Sequence, residues 1–155
     1  HLIINNALNG KKLPVYGDGK NVRDWLYVRD HAKAIDMVQE QGKLFETYNI
    51  GGHNEKQNIE IVEIILETLQ DMLEDSDPRK ALVSKDLITY VEDRKGHDRR
   101  YAIAPDKIKA DLGWEPETMF KEGIRLTIQW YFENEDWMKR VTSGDYQKYY
   151  EEMYQ

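Results

Sequence analysis

Arg94, Lys95, Arg99 and Arg100 crowd around Gly96 and His97 in a chain of 155 residues whose formal net charge is −7. Guanidinium groups grip two oxygens of a phosphate or carboxylate at once, in a forked geometry that a lysine ammonium does not match. The imidazole offers a further donor or acceptor, and glycine lets the backbone bend so that several donors converge. The chemistry such a set supports is local anion binding. Glu92, Asp93 and Asp98 lie in the same stretch and leave residues 92–100 at a net +1. The same letters therefore also describe a solvated loop of surface ion pairs, each worth little.

The elements that position these groups are read from periodicity and punctuation. Leu87, Ile88, Thr89 and Tyr90 favour β structure, so a strand over 87–91 delivers the basic stretch. At the start, Leu2-Ile3-Ile4 and Ala7-Leu8 read as the tail of an amphipathic helix that stops at Asn9-Gly10. Lys11 to Gly19 is a short extended piece fixed by Pro14 and running into a glycine turn, where Pro14 and Tyr16 offer a flat apolar surface. A strand is expected over 22–28, a helix over 30–38 capped by Asp30, and a second strand over 45–50 stopped by Gly51-Gly52. Asn58 is placed as the cap of the clearest helix, with Ile59, Val62, Ile65, Leu66, Leu69, Met72 and Leu73 at three- and four-residue spacing. Residues 74–80 read as a loop and 105–112 as a short helix ending at Gly113. A last helix begins near Thr118, with Phe120, Ile124, Leu126, Ile128 and Tyr131 on its buried side, before a tyrosine-rich tail over 143–155 that is expected to pack against the domain.

Other chemistries are poorly served. Tyr16 and Lys20 have the Tyr-x-x-x-Lys spacing of short-chain dehydrogenases, but that pair works on a helix, and two intervening glycines argue against one. His1, His31, His53 and His97 lack metal-ligand spacing, and neither a Gly-x-Gly-x-x-Gly loop nor a Gly-x-Ser-x-Gly elbow occurs. There are no cysteines, hence no disulfide framework, thiol nucleophile or Cys-based zinc site. The acidic balance argues against a nucleic-acid surface, and no membrane-spanning run is evident, so the expected setting is cytoplasmic. The mixed elements, with 40% hydrophobic residues, indicate an α/β fold of α+β character: a small mixed domain with helices packed on short strands.

An ordered set of motifs then carries a resemblance. Lys12-Leu13-Pro14-Val15-Tyr16-Gly17-Asp18-Gly19, Arg23-Asp24-Trp25-Leu26-Tyr27-Val28 with Asp30-His31, Tyr48-Asn49-Ile50-Gly51-Gly52, Asp93-Arg94 with Gly96-His97-Asp98-Arg99-Arg100-Tyr101, and Leu112-Gly113-Trp114 appear in sequence. Together they resemble the C-terminal part of the dTDP-glucose 4,6-dehydratase family, within the extended short-chain dehydrogenase/reductases. The resemblance implies a nucleotide-sugar binding domain over 1–155, with the NAD-binding Rossmann domain absent from this chain. It implies that Leu13, Pro14 and Tyr16 line a thymine pocket, and that Arg23 and Arg94 hold the diphosphate. Asn58 and His97 would add polar contacts nearby, although capping alone would also justify an asparagine at 58. Arg99 and Arg100 are expected to form structural ion pairs. Lys95 stands where the family is expected to carry proline.

In that family NAD oxidises the sugar at C4, water is eliminated across C5 and C6, and the hydride returns to C6, giving dTDP-4-keto-6-deoxyglucose for rhamnose and other deoxysugars. The NAD loop, the helical Tyr-x-x-x-Lys and the acidic pair belong to the missing part. The chain is thus expected to bind dTDP-glucose or dTDP, to carry no cofactor, metal or catalytic residue, and to be inactive alone. The parent is expected to dimerise through the missing domain. Two alternatives stand beside this: the substrate domain of a related nucleotide-sugar epimerase or decarboxylase, and a non-catalytic acidic module that docks a protein through the tyrosine-rich tail.

Overall fold

The computed structural model describes residues 2–141 and 144; the tyrosines of the tail from Tyr146 onward lie outside them. Two packing units divide the chain, one up to Ile124 and one from Arg125. The order in the first is α1 (Leu2–Leu8), β1 (Leu13–Tyr16), β2 (Val22–Asp24), α2 (Val28–Gln41), β3 (Glu55–Gln57), α3 (Asn58–Met72), two 3-10 turns (Pro78–Leu82 and Lys85–Leu87), β4 (Ile88–Val91) and α4 (Asp106–Leu112). Helix α5 (Phe120–Glu133) crosses the boundary and is followed by α6 (Glu135–Val141). The architecture is the expected mixed α/β type, mostly helical, and among the described residues its short strands pair as two-stranded ribbons.

β1 and β4 pair in parallel with Leu13 opposite Ile88 and Tyr16 opposite Val91. β2 and β3 pair antiparallel, Val22 opposite Gln57 and Asp24 opposite Glu55. Parallel neighbours need a long connection, and here it contains α2, β3 and α3. Helices α1 and α3 pack on each other and on β1. They bury Ile4 and Ala7, Leu13 and Val15, and Ile61, Val62, Ile65, Leu66 and Leu69. A separate cluster seats Ala34 of α2 against Ile108 and Trp114, with Leu26, Met37, Tyr48 and Ile50 packed around it. In the second unit, Trp130 meets Trp137 edge-on at 5.1 Å.

Gly10 and Gly113 both take positive φ behind helices, as the helix-stop reading requires. Several local expectations are corrected. The strand at 22–28 ends at Asp24, because the Trp25 N–H turns to Asn54 O (3.2 Å) and Val28 already opens α2. Asp30 therefore sits inside the first turn rather than at the cap, which is Tyr27; it is 3% exposed and accepts the Thr118 N–H at 2.9 Å. Residues 45–50 form no strand, since no described residue offers them a ladder and Phe45 adopts φ 65.

Gln57, not Asn58, caps α3, in a capping box with Glu60 whose Oε2 accepts the Gln57 N–H at 2.6 Å. Residues 74–80 run into the first 3-10 turn, in which Asp77 accepts the Arg79 N–H. On α5, Ile128 is fully buried while Leu126 is 42% exposed. Two helical steps are 200°, so Leu126 lies across the helix from the stripe through Ile124, Ile128 and Tyr131.

Candidate functional site

The basic stretch is pinned at both ends by the two ribbons. The Gly17 N–H donates to Val91 O at 2.9 Å, extending the β1–β4 ladder into the glycine turn. At the far end, the Val22 N–H donates to Arg99 O (2.8 Å) and the Tyr101 N–H to Val22 O (3.1 Å). Residues 92–98 therefore cross from β4 to β2, and Gly96 makes its bend at φ 74. Chain segments more than 70 positions apart are brought together by these few backbone bonds.

Arg23 and Arg94 converge on His97. Nη2 of Arg23 lies 2.9 Å and Nη2 of Arg94 lies 3.1 Å from the same imidazole nitrogen, Nε2. The other nitrogen, Nδ1, is 2.6 Å from Oδ1 of Asp93. Each arginine also lies on an aromatic face, Arg23 at 4.4 Å from the Tyr101 ring centre and Arg94 at 5.1 Å from that of Tyr16. Arg23 is braced further by Val22 O (2.7 Å) and Asp98 O (3.0 Å). Two cations side by side with this bracing form a clamp whose natural complement is an anion with several oxygens.

The neighbouring charges are largely spoken for. Arg99 forks onto Asp18 (2.8 and 3.1 Å) and Arg100 onto Glu55 (2.7 and 2.9 Å), so both act as ties between the stretch and the ribbons. Arg99 holds the Asp18 carboxyl down at about 2. The hydrogen bond from His97 holds Asp93 below the usual carboxylate range, whereas the Asp98 carboxylate that accepts the Tyr101 hydroxyl pushes that phenol up.

Of the residues expected to form the site, Arg23, Arg94 and His97 are therefore in direct contact. Tyr16 joins them, its ring 6.3 Å from that of His97 and edge-on to it. Pro14 is half-buried on the same strand, whereas the Leu13 side chain is fully buried in the core, so Leu13 can present only its backbone. Asn58 reaches the cluster through its N–H, which donates to Asn21 O at 3.0 Å.

Asn21, Asp93 and Tyr101 are not among the residues expected to form the site, although Asp93 and Tyr101 belong to the motif that carries the resemblance. Asn21 is 1% exposed, and its Nδ2 lies 3.3 Å from Asp98 O and 3.4 Å from Nδ1 of His97. An Asp four residues before a His was a visible signal for Asp93; nothing in the sequence marks Asn21 as buried.

Tyr16 ends a strand and Gly17 and Gly19 have φ 56 and 73, so Tyr16 and Lys20 do not share a helix face as the dehydrogenase chemistry would require. The sequence contains no Gly-x-Gly-x-x-Gly loop of the kind that opens a helix under a pyrophosphate. Among the described residues, no three His, Asp or Glu side chains are grouped to hold a metal ion. No helix there is long and apolar enough to cross a membrane.

Comparison with known proteins places these features in context. A family model described as GDP-mannose 4,6 dehydratase matches residues 1–127. The chain is 52% identical over 154 residues to the dTDP-glucose 4,6-dehydratase of Shigella flexneri, a match that takes in 99% of this chain and 41% of the relative. A crystal structure of dTDP-glucose 4,6-dehydratase from Bacillus anthracis, in complex with NAD, superposes with a TM-score of 0.78 at 50% identity, covering 91% of this chain and 41% of that one. The Streptomyces venezuelae dTDP-glucose 4,6-dehydratase, solved with NAD and TYD bound, gives 0.77 at 38% identity, covering 88% and 38%. The chain thus spans about two fifths of the length of the relatives it matches.

Proposed function

Because the chain belongs to the GDP-mannose 4,6-dehydratase family, we propose that it is the substrate-binding part of a dTDP-glucose 4,6-dehydratase and that its clamp holds the diphosphate of dTDP. The observation that carries this reading is the convergence of Arg23 and Arg94 on His97 beside the Tyr16 ring. Its support is the 52% identity to dTDP-glucose 4,6-dehydratase over nearly the whole chain.

In this reading the guanidinium groups of Arg23 and Arg94 bind the two phosphates. Pro14 and the ring of Tyr16, with the Leu13 backbone, form the apolar edge for thymine, while His97 and Asn58 add polar contacts. Holding the nucleotide end fixes where the sugar projects, and binding energy gathered far from the reacting carbons is what positions them. The chain's own residues bind and orient. NAD and the acid–base groups belong to the remainder of a longer, cytoplasmic, dimeric protein, and this chain alone is inactive.

Calorimetric titration of the chain with dTDP tests the reading. Binding is expected, and Arg94→Ala should weaken it by roughly ten- to a hundredfold, the loss of about 1.5–3 kcal/mol from a hydrogen bond to a charged group. Unchanged affinity in Arg94→Ala would refute the diphosphate role, and turnover of dTDP-glucose by the chain alone would refute the assignment of catalysis to the remainder.

A further inference from the structure

The charged neighbours of the imidazole at the centre of the clamp select one tautomer, and the Asn21 amide near Nδ1 donates instead to Asp98 O. Two guanidinium N–H donors point at Nε2 of His97, from Arg23 on β2 and Arg94 on the same loop. A guanidinium carries donors only, so Nε2 must present its lone pair. On the other side Nδ1 faces the Asp93 carboxylate at 2.6 Å and so must carry the proton. A proton on Nε2 would set an N–H against two cations and a bare Nδ1 against an anion. The remaining groups around the ring, the Tyr16 edge from β1 and the Asn21 amide, are neutral.

Asp93 is itself held in place. Its Oδ1 accepts the Arg94 N–H at 2.9 Å, and its carboxylate lies so close to Gly17 that a Cβ there would stand 3.0 Å from Oδ2. The turn after β1 leaves room for that carboxylate because position 17 has no side chain.

We propose that Asp93 is the positioning residue of the clamp: by taking the Nδ1 proton of His97 it keeps Nε2 as the acceptor on which Arg23 and Arg94 are gathered before an anion arrives. The inference rests on the diphosphate reading. It assigns a separate part to Asp93, which touches no ligand in that reading. His97 then contributes through the arginines it orients, and an incoming diphosphate oxygen takes the guanidinium N–H donors that Nε2 leaves free.

Nitrogen-15 NMR of histidine-labelled chain reads the proton's position directly, and calorimetry with inorganic pyrophosphate reads the clamp. The wild-type chain should show His97 protonated on Nδ1. Asp93→Ala removes the acceptor of the Nδ1 proton, so the ring protonated on Nε2 becomes populated with the two guanidinium groups turned away from it, and pyrophosphate should bind roughly tenfold more weakly, about the effect of one hydrogen bond. Asp93→Asn should restore both, because its amide oxygen still accepts from Nδ1. A wild-type ring protonated on Nε2 would overturn the proposal, as would Asp93→Ala with a moved proton and unchanged affinity. A wild-type chain with the expected Nδ1 proton that binds neither pyrophosphate nor dTDP would sink the diphosphate reading and uphold the tautomer assignment.

Discussion

Gly52→Ala is expected to be among the most damaging single methyl additions in this chain, for a reason of space and not of backbone freedom. Gly52 is absent from the glycines with positive φ, so alanine is conformationally acceptable there. A Cβ at this position would nevertheless lie 2.2 Å from Trp25 O and 3.0 Å from Trp25 C. The obstacle is backbone just beyond β2 and cannot swing aside as a side-chain tip would. Relief requires the residue 52 backbone to retreat, which breaks its N–H bond to Oδ2 of Asp24 (2.7 Å) and loosens the neighbouring bond from Asn54 N–H to Oδ1 (2.8 Å). Overpacking costs about 1–3 kcal/mol and a lost charge-assisted bond about 1.5–3 kcal/mol, so together about 2.5–6 kcal/mol.

That is a large share of an ordinary stability of about 5–15 kcal/mol and a fall in Tm on the order of 10 °C for a chain of this size. Urea unfolding followed by circular dichroism should show a lower midpoint with an unchanged slope. Because Asp24 adjoins Arg23, dTDP affinity should fall as well. A midpoint within error of wild type would refute the argument that close approach fixes this glycine.

Asp18→Asn tests the tie between the glycine turn and Arg99. The folded-state value of Asp18 is depressed from 3.8 to about 2, chiefly by the hydrogen bond from Arg99, so its stabilisation is fully present above the unfolded value and is lost as pH falls through the folded one. Wild type should therefore melt higher than Asp18→Asn at neutral pH, with the gap closing between about pH 4 and about pH 2; a gap independent of pH in thermal melts would contradict this. Arg100→Ala, which removes an exposed fork to Glu55, should leave the thermal midpoint nearly unchanged and dTDP affinity within twofold of wild type by calorimetry. A tenfold loss would move Arg100 from tie to ligand contact.

The parts of the fold legible in the sequence are those fixed by nearby residues. The stop at Gly10, the short strand around Pro14, the apolar stripe of α3, the strand before the basic stretch and the stop at Gly113 all follow from periodicity or punctuation within a few positions. Errors arise where a distant partner decides. Residues 45–50 have strand-like letters, but a strand also needs a neighbour to pair with. Asp30 looks like a cap, but its carboxylate is claimed by Thr118, 88 positions away. Asn58 has the better capping side chain, yet Gln57 and Glu60 close the box one residue earlier. Gly51-Gly52 has the letters of a strand stop, whereas Gly52 is required by the carbonyl of Trp25.

The candidate site divides in the same way. Residue types around Gly96 suggest an anion site but on their own favour a solvated loop, and it is the resemblance that joins Arg23 to Arg94 across 71 positions. The structure adds what neither supplied: the pairing of Val22 with Arg99 and Tyr101 that brings the segments together, the aromatic floor under each arginine, and the Asp93–His97 pair between them.

The most direct test of the central claim is a crystal structure of this chain grown with dTDP. The account predicts the diphosphate between the guanidinium groups of Arg23 and Arg94, with thymine against Pro14 and Tyr16. A diphosphate bound away from both arginines, or on Arg99 and Arg100 instead, would contradict it.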